Sequence, residues 1–304
     1  MYTIFTDTDC DFTPETAKEY GYKLISMPFS IDGKTYFPYE DSETFDMPSF
    51  YAKLREGVIP TTSGVSIEKY KNYFRPEFEK GNDVMYVHFS RAMSGTFSAM
   101  DEAVKELKEE FPERKFYAVD TKGITIISYN IAKEIGEMYK NGATPEEIMA
   151  WADKEVLCYS QYFFADDLKF FRRSGRVSGF SATMGTLLGI RPIIYMNAEG
   201  KMLSIGKERG RTRAMERLLA YMDELGDRVA DYRIIIGHTD FGKLFVIFYF
   251  IRYFVLTVFK KDGNCRVDFF GSYVIPNQLF QLCVYFYIIS IKIIIRLTEK
   301  CKGK

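Results

Sequence analysis

Residues 1–240 of this 304-residue chain read as α/β, arranged in two domains, and three observations carry that expectation. Short apolar runs that suit strands alternate with stretches of helical periodicity. A hydroxyl followed by proline marks two helix starts, Thr13-Pro14 and Thr144-Pro145. Near residue 158 this alternation gives way to a hairpin pattern set among glycine-arginine turns.

In order, residues 2–6 form a short strand and Thr13-Pro14 opens a helix. Residues 22–31 and 34–37 flank Asp32-Gly33, a tight-hairpin dipeptide. Asp46 caps a helix that Gly57 stops, and Ser66 caps another that runs to about Glu79. A strand over 83–89, a helix over 94–110 and a strand over 115–120 follow. Two helices then span about 124–141 and 145–157. Residues 159–165 are a strand, ahead of 166–173 and a glycine-serine stretch, 174–179. Residues 184–188 are helical. Runs 190–196 and 202–207 flank 197–200 as a second hairpin, before a helix over about 212–225 and a last strand over 232–237. The expected domains are therefore 1–158 and 159–240.

Residues 241–304 break the pattern. They hold ten Lys/Arg against Asp262, Asp268 and Glu299, a net charge of +7, and contain no alanine. Two apolar runs, 244–259 and 279–297, are interrupted by Arg252, Lys292 and Arg296. Neither is a clean span of about 20 apolar residues. A soluble chain is the expectation, with membrane association through this tail as the alternative. Net charge over the whole chain is zero, which gives no electrostatic case for a nucleic-acid partner. Cys10, Cys158, Cys265, Cys283 and Cys301 show no paired spacing, so neither a zinc site nor a disulfide framework is expected. The opening residues lack a basic, apolar leader, and a reducing, cytoplasmic setting is expected.

Two hydroxyl-rich segments carry the strongest hint of function. One is Pro60-Thr61-Thr62-Ser63-Gly64-Val65-Ser66, ahead of a helix. The other is Ser90-Arg91-Ala92-Met93-Ser94-Gly95-Thr96, where a strand hands over to a helix. Thr62 and Ser94 are 32 residues apart. Helix N-termini offer free N–H groups and a favourable dipole, so two such corners suit a small carboxylate or phosphate. The competing reading is that these are ordinary turn and cap hydroxyls.

Two basic stretches, 170–179 and 207–213, place arginines beside glycines and suit either anion binding or a solvated surface. His88 falls inside a strand and reads as a core residue. Asp7, Asp9 and Asp11 alternate as metal ligands do, but without a calcium-loop glycine or a distal glutamate, so a turn is expected. No nucleophile elbow, P-loop or dinucleotide-binding glycine pattern is present.

With these motifs in order, the chain resembles the DegV family of fatty-acid-binding proteins, the carrier subunit of bacterial fatty acid kinase systems. Phe5-Thr6-Asp7-Thr8-Asp9-Cys10-Asp11-Phe12 looks like the family's opening aspartate-rich loop. Thr62-Ser63-Gly64-Val65-Ser66 stands where the family has Thr-Ser-Gln-Pro-Ser, and residues 90–97 look like its Ser-Ser-x-Leu-Ser-Gly-Thr-Tyr. Val119-Asp120-Thr121, the Gly175-Arg176 turn and residues 206–213 also fit. The resemblance covers about 1–240.

It implies a Rossmann-like, three-layer parallel sheet followed by a smaller two-layer domain with a mixed sheet. It also implies a non-enzymatic carrier of a long-chain fatty acid, acting with a kinase subunit and needing neither cofactor nor metal. Thr62 and Ser94 match the family's carboxylate contacts, with Ser63 and Gly95 beside them. Arg176 and Arg209 match arginines of the head-group and kinase-facing surface. Gly64-Val65 in place of Gln-Pro implies a less rigid first loop. The family ends on a glycine-rich strand segment bearing a histidine, and nothing after Asp240 matches it, so the second domain is expected to be incomplete. His238 belongs to an earlier strand and does not take that role. The alternatives are a phosphotransferase or hydrolase acting on a small anion, or a C-terminally altered member without function.

Overall fold

The computed structural model describes residues 1–41, 47–165, 176–178, 189–225, 234–238, 267–270 and 291–296. Asp46, residues 166–175, Gly179, the expected helix over 184–188 and the apolar run 244–259 lie outside the described residues. The chain divides into two units. The first takes Met1–Val156 with the turn Glu199–Lys201; the second holds the described residues of Leu157–Ala198, Met202–Ile275 and Phe286–Lys304.

In the first unit, β1 (Tyr2–Asp7) leads through a 3-10 turn, Thr8–Cys10, to α1 (Pro14–Tyr20). Thr13 caps α1 by accepting the Thr16 N–H at 3.1 Å, and Gly21 stops it at φ 78°. The sequence predicts one run over 22–31, whereas the structure has two strands, β2 (Lys23–Ile25) and β3 (Phe29–Ile31). Pro28 has no N–H to give a ladder. Its neighbours find other partners: Ser26 Oγ donates to the Pro38 carbonyl at 2.7 Å, and the Met27 N–H donates to Thr8 Oγ1 at 3.0 Å. Asp32 and Gly33, at φ 53° and 76°, turn β3 into β4 (Lys34–Tyr36) as the dipeptide requires.

Then come α2 (Met47–Arg55), β5 (Thr61–Thr62), α3 (Ile67–Glu79), β6 (Asp83–His88), α4 (Thr96–Glu110), β7 (Phe116–Asp120), α5 (Ile126–Lys140) and α6 (Pro145–Glu155). Ser66 caps α3 and a full capping box of Thr144 and Glu147 opens α6. β5 is unexpected: a two-residue strand is too short to show a period.

The sheet order is β2-β1-β6-β7, all parallel, with Ile4 beside Met85 and Met85 beside Tyr117. β3, β4 and β5 make a separate antiparallel sheet. α1 packs on α5 and α3 packs on α4. Right-handed crossovers put those two pairs on opposite faces, giving three layers. The chain leaves β1 toward β2 and later returns on the other side as β6. That reversal makes a crevice at the C-terminal ends of β1 and β6, where ligands of open α/β sheets bind.

The second unit follows with β8 (Tyr159–Phe164), β9 (Val177–Ser178), β10 (Ile190–Met196), β11 (Met202–Arg209), α7 (Arg211–Leu225), β12 (Ile234–His238), β13 (Val267–Phe270) and β14 (Ile291–Arg296). Its mixed sheet runs β13-β12-β14-β8-β10-β11-β9. α7 buries Ala214, Met215, Leu218, Leu219 and Met222 against it.

One expectation is corrected here. The second domain was to lack its closing strand, yet β14, from the tail, lies between β8 and β12 in the middle of the sheet. Its run Ile-Lys-Ile-Ile-Ile-Arg is β-branched, and such residues suit an interior strand. Among the described residues no helix is long and apolar enough to cross a membrane.

Candidate functional site

The crevice at the ends of β1 and β6 is assembled from three turns. The first follows β1. Asp7 Oδ1 accepts the Cys10 N–H at 3.0 Å, which fixes the 3-10 turn. Asp7 Oδ2 accepts from the Tyr86 hydroxyl at 2.9 Å and the Phe89 N–H at 3.3 Å, joining β1 to β6. Burial raises the Asp7 carboxyl to about 6, against the pull of those hydrogen bonds. Burial, and after it the charges of Asp7 and Asp11, raises Asp9 well above the usual range. The aspartates thus build a turn, as expected. Among the described residues no group of His, Cys, Asp and Glu is placed to hold a metal ion.

The second turn follows β6. Ser90 Oγ donates to the Gly200 carbonyl at 2.7 Å and accepts the Ala92 N–H at 3.2 Å, so it is committed within the first unit. Arg91–Met93 form a 3-10 turn. The sequence starts the next helix at Ser94; the structure starts it at Thr96, and Ser94 is extended. Ser94 is half-buried, and its Oγ accepts the Thr96 N–H at 3.2 Å. A hydroxyl that accepts one bond still has its proton to donate. Gly95, exposed, occupies the N-cap without a side chain.

The third is the segment after β5. Thr62 is half-buried and pairs with Phe29, while Ser63 is exposed. Gly64 comes so close to α4 that a Cβ there would lie 3.2 Å from Thr96 Cα. The Val65 N–H donates to Thr96 Oγ1 at 2.9 Å. The structure therefore brings the two hydroxyl segments together. It also answers the expected loss of rigidity at Gly64-Val65: the N–H that fastens this loop is one a proline would lack.

His88 is a packed core residue, as expected. Its Nδ1 donates to the Phe89 carbonyl at 2.7 Å, and its ring lies against Phe97 and Tyr86. Burial lowers it to about 4, so it is neutral at pH 7.

In the second unit, Arg176 is half-buried just before β9, whose Val177 pairs with Met202 at the start of β11. Arg209 is exposed at the other end of β11, beside Gly210 at φ 85°. At about 3.3 Å per strand residue, the two backbones stand roughly 20–25 Å apart. The arginines are therefore not one cluster. Strand pairing separates what the sequence left open.

Thr96 is the residue that sequence reasoning missed. As one hydroxyl within a hydroxyl-rich motif it gives no signal of its own; its role rests on contact with Gly64 and Val65, about 30 positions away.

A family model described as "Uncharacterised protein, DegV family" matches residues 1–245. A DegV domain-containing protein of Clostridium perfringens is 31% identical over 241 residues, covering 79% of this chain and 82% of that protein. A stearic acid-binding protein from Eubacterium ventriosum has the same fold, with TM-score 0.80 at 20% identity over 97% of this chain and 98% of that one. So does a DegV family protein from Eubacterium eligens loaded with heptadecanoic acid, with TM-score 0.76 at 20% identity over 98% and 100%.

Proposed function

We propose that this chain, which belongs to the DegV family, carries a long-chain fatty acid and presents its carboxylate to a partner kinase subunit, without catalysing a reaction itself. The observation that carries this reading is the convergence of the Thr62 and Ser94 segments, held against each other at Gly64 and Thr96 beside the crevice of the parallel sheet. Thr62 and Ser94 hydrogen-bond the carboxylate, with Ser63 and the Gly95 turn beside them. The fatty acids carried by the structural relatives supply the ligand class.

Magnitudes assign the work. Burying methylenes yields roughly 0.8 kcal/mol each, so an acyl chain contributes on the order of 10 kcal/mol before association costs. A hydrogen bond to a charged group nets about 1.5–3 kcal/mol. Apolar burial sets affinity; the hydroxyls set orientation. Arg176, just ahead of β9, and Arg209, at the far end of β11, serve separate contacts with phosphate charge or the surface of the kinase subunit. His88 is fully buried, with Nδ1 engaged by the Phe89 carbonyl and its ring packed on Phe97, so it is not placed to reach a substrate, which favours a carrier over a hydrolase.

Native mass spectrometry of protein purified from bacteria tests the ligand. A retained long-chain fatty acid is expected. An empty protein that also fails to bind added fatty acid contradicts the carrier reading.

A further inference from the structure

Thr96, the first residue of α4, is 3% exposed and touches both hydroxyl segments at once. Its Oγ1 accepts the Val65 N–H at 2.9 Å and lies 3.0 Å from the Tyr70 hydroxyl. Its own N–H donates to Ser94 Oγ at 3.2 Å. Further in, the Tyr70 ring lies against that of Tyr86, with centroids 6.4 Å apart, and the Tyr86 hydroxyl donates to Asp7 at 2.9 Å. Tyr70, Tyr86 and Asp7 are all fully buried. Breaking any of the three hydrogen bonds at Thr96 leaves a polar group unsatisfied in a low-dielectric interior, so the parts they join hold one geometry.

That geometry bears on head-group choice. A carboxylate offers two oxygens at a fixed separation, whereas an alcohol offers one. Two hydroxyl donors held at a set spacing favour the first ligand over the second. We infer that Thr96 is a positioning residue for head-group selectivity: its hydroxyl sets the spacing of Thr62 and Ser94, and through it the preference for a carboxylate over a neutral head group. This rests on the carrier reading above.

The test measures octadecanoate and octadecanol affinity for the full chain, its Thr96→Val variant and its Thr96→Ser variant. Valine keeps the shape and removes the hydroxyl; serine restores it. Thr96→Val is expected to lower the carboxylate-over-alcohol ratio roughly tenfold while alcohol affinity stays within about twofold, the scale of one hydrogen bond to a charged group. Thr96→Ser keeps the parent ratio, and hydrogen exchange at the Val65 amide quickens in Thr96→Val alone. An unchanged ratio in Thr96→Val, or equal losses for both ligands, overturns the inference and leaves the carrier reading standing. So does a Val65 amide that exchanges in the parent as fast as an exposed loop, a result that needs no variant to fold. A parent that binds neither ligand overturns the carrier reading, and this inference with it.

Discussion

Two buried carboxylates sit toward opposite ends of strand β1, and they are satisfied in opposite ways. Glu77 of α3 meets the start of the strand. It accepts from Thr3 Oγ1 at 2.7 Å, from Lys23 Nζ at 2.6 Å, from Lys80 Nζ at 2.8 Å and from Asn82 Nδ2 at 3.2 Å. Burial works to raise its pKa, but those four donors outweigh it and hold the carboxyl well below the usual carboxylate range. Asp7 closes the strand with neutral partners only, and there burial wins. One end of the sheet is a charge-matched clamp; the other is a buried polar network next to the proposed head-group site. If the proposed head-group site is right, holding the fold and holding a ligand fall to different ends of the same strands.

The clamp predicts the largest effect. Glu77→Ala removes the common acceptor of two lysines, a threonine and an asparagine, and should cost about 3 kcal/mol, read from urea unfolding midpoints. A loss below about 1 kcal/mol would show that the lysine heads are well enough solvated to make the clamp dispensable. Because the folded pKa of Glu77 is lowered, its contribution is present above the unfolded value. It fades as pH falls below about 4.

Asp7 carries the opposite sign. Its folded pKa, about 6, lies above the usual carboxylate value of 3.8. The favourable contribution of the protonated form is complete below the unfolded pKa and is lost as pH rises through about 6. Asp7→Asn cannot ionise. It should cost on the order of 1–2 kcal/mol at pH 4 through poorer hydrogen bonding, and that gap should narrow by pH 7. Unfolding midpoints at the two pH values check this. A gap that widens with pH would mean that the ionised carboxylate's hydrogen bonds outweigh its burial.

The smallest effect calibrates the comparison. Thr144→Ala opens the capping box of α6 and should cost about 1 kcal/mol, with fatty-acid affinity unchanged. An affinity loss from this change would mean that general destabilisation reaches the ligand site.

How legible each feature was depended on the range of its cause. Thr13, Ser66 and Thr144 act on N–H groups within three residues, so their helix starts were plain in the sequence. Asp32-Gly33 was equally plain, since φ above zero at two positions is a local demand. The break at Ser26–Pro28 was hidden because the partners that stabilise it, Thr8 and Pro38, lie elsewhere in the chain. Glu77 gave no warning, as a glutamate on an amphipathic helix is ordinarily a surface residue. The tail looked foreign to its family, yet backbone ladders admit any β-branched run of fitting length, and 291–296 is one. Of the site, Thr62 and Ser94 stood out by their motifs. Thr96 and the spread of Arg176 and Arg209 could emerge only from tertiary pairing.

The division of labour between the two ends of the sheet is tested most directly by measuring fatty-acid affinity and unfolding midpoint together in Ser94→Ala and Glu77→Ala. Ser94→Ala should bind roughly tenfold more weakly, the scale of one hydrogen bond to a charged group, with its midpoint falling by less than that of Glu77→Ala, since only the acceptor of the Thr96 N–H is lost. Glu77→Ala should keep parent affinity while its midpoint falls. Parent affinity in Ser94→Ala, or equal affinity losses in both variants, would contradict the account.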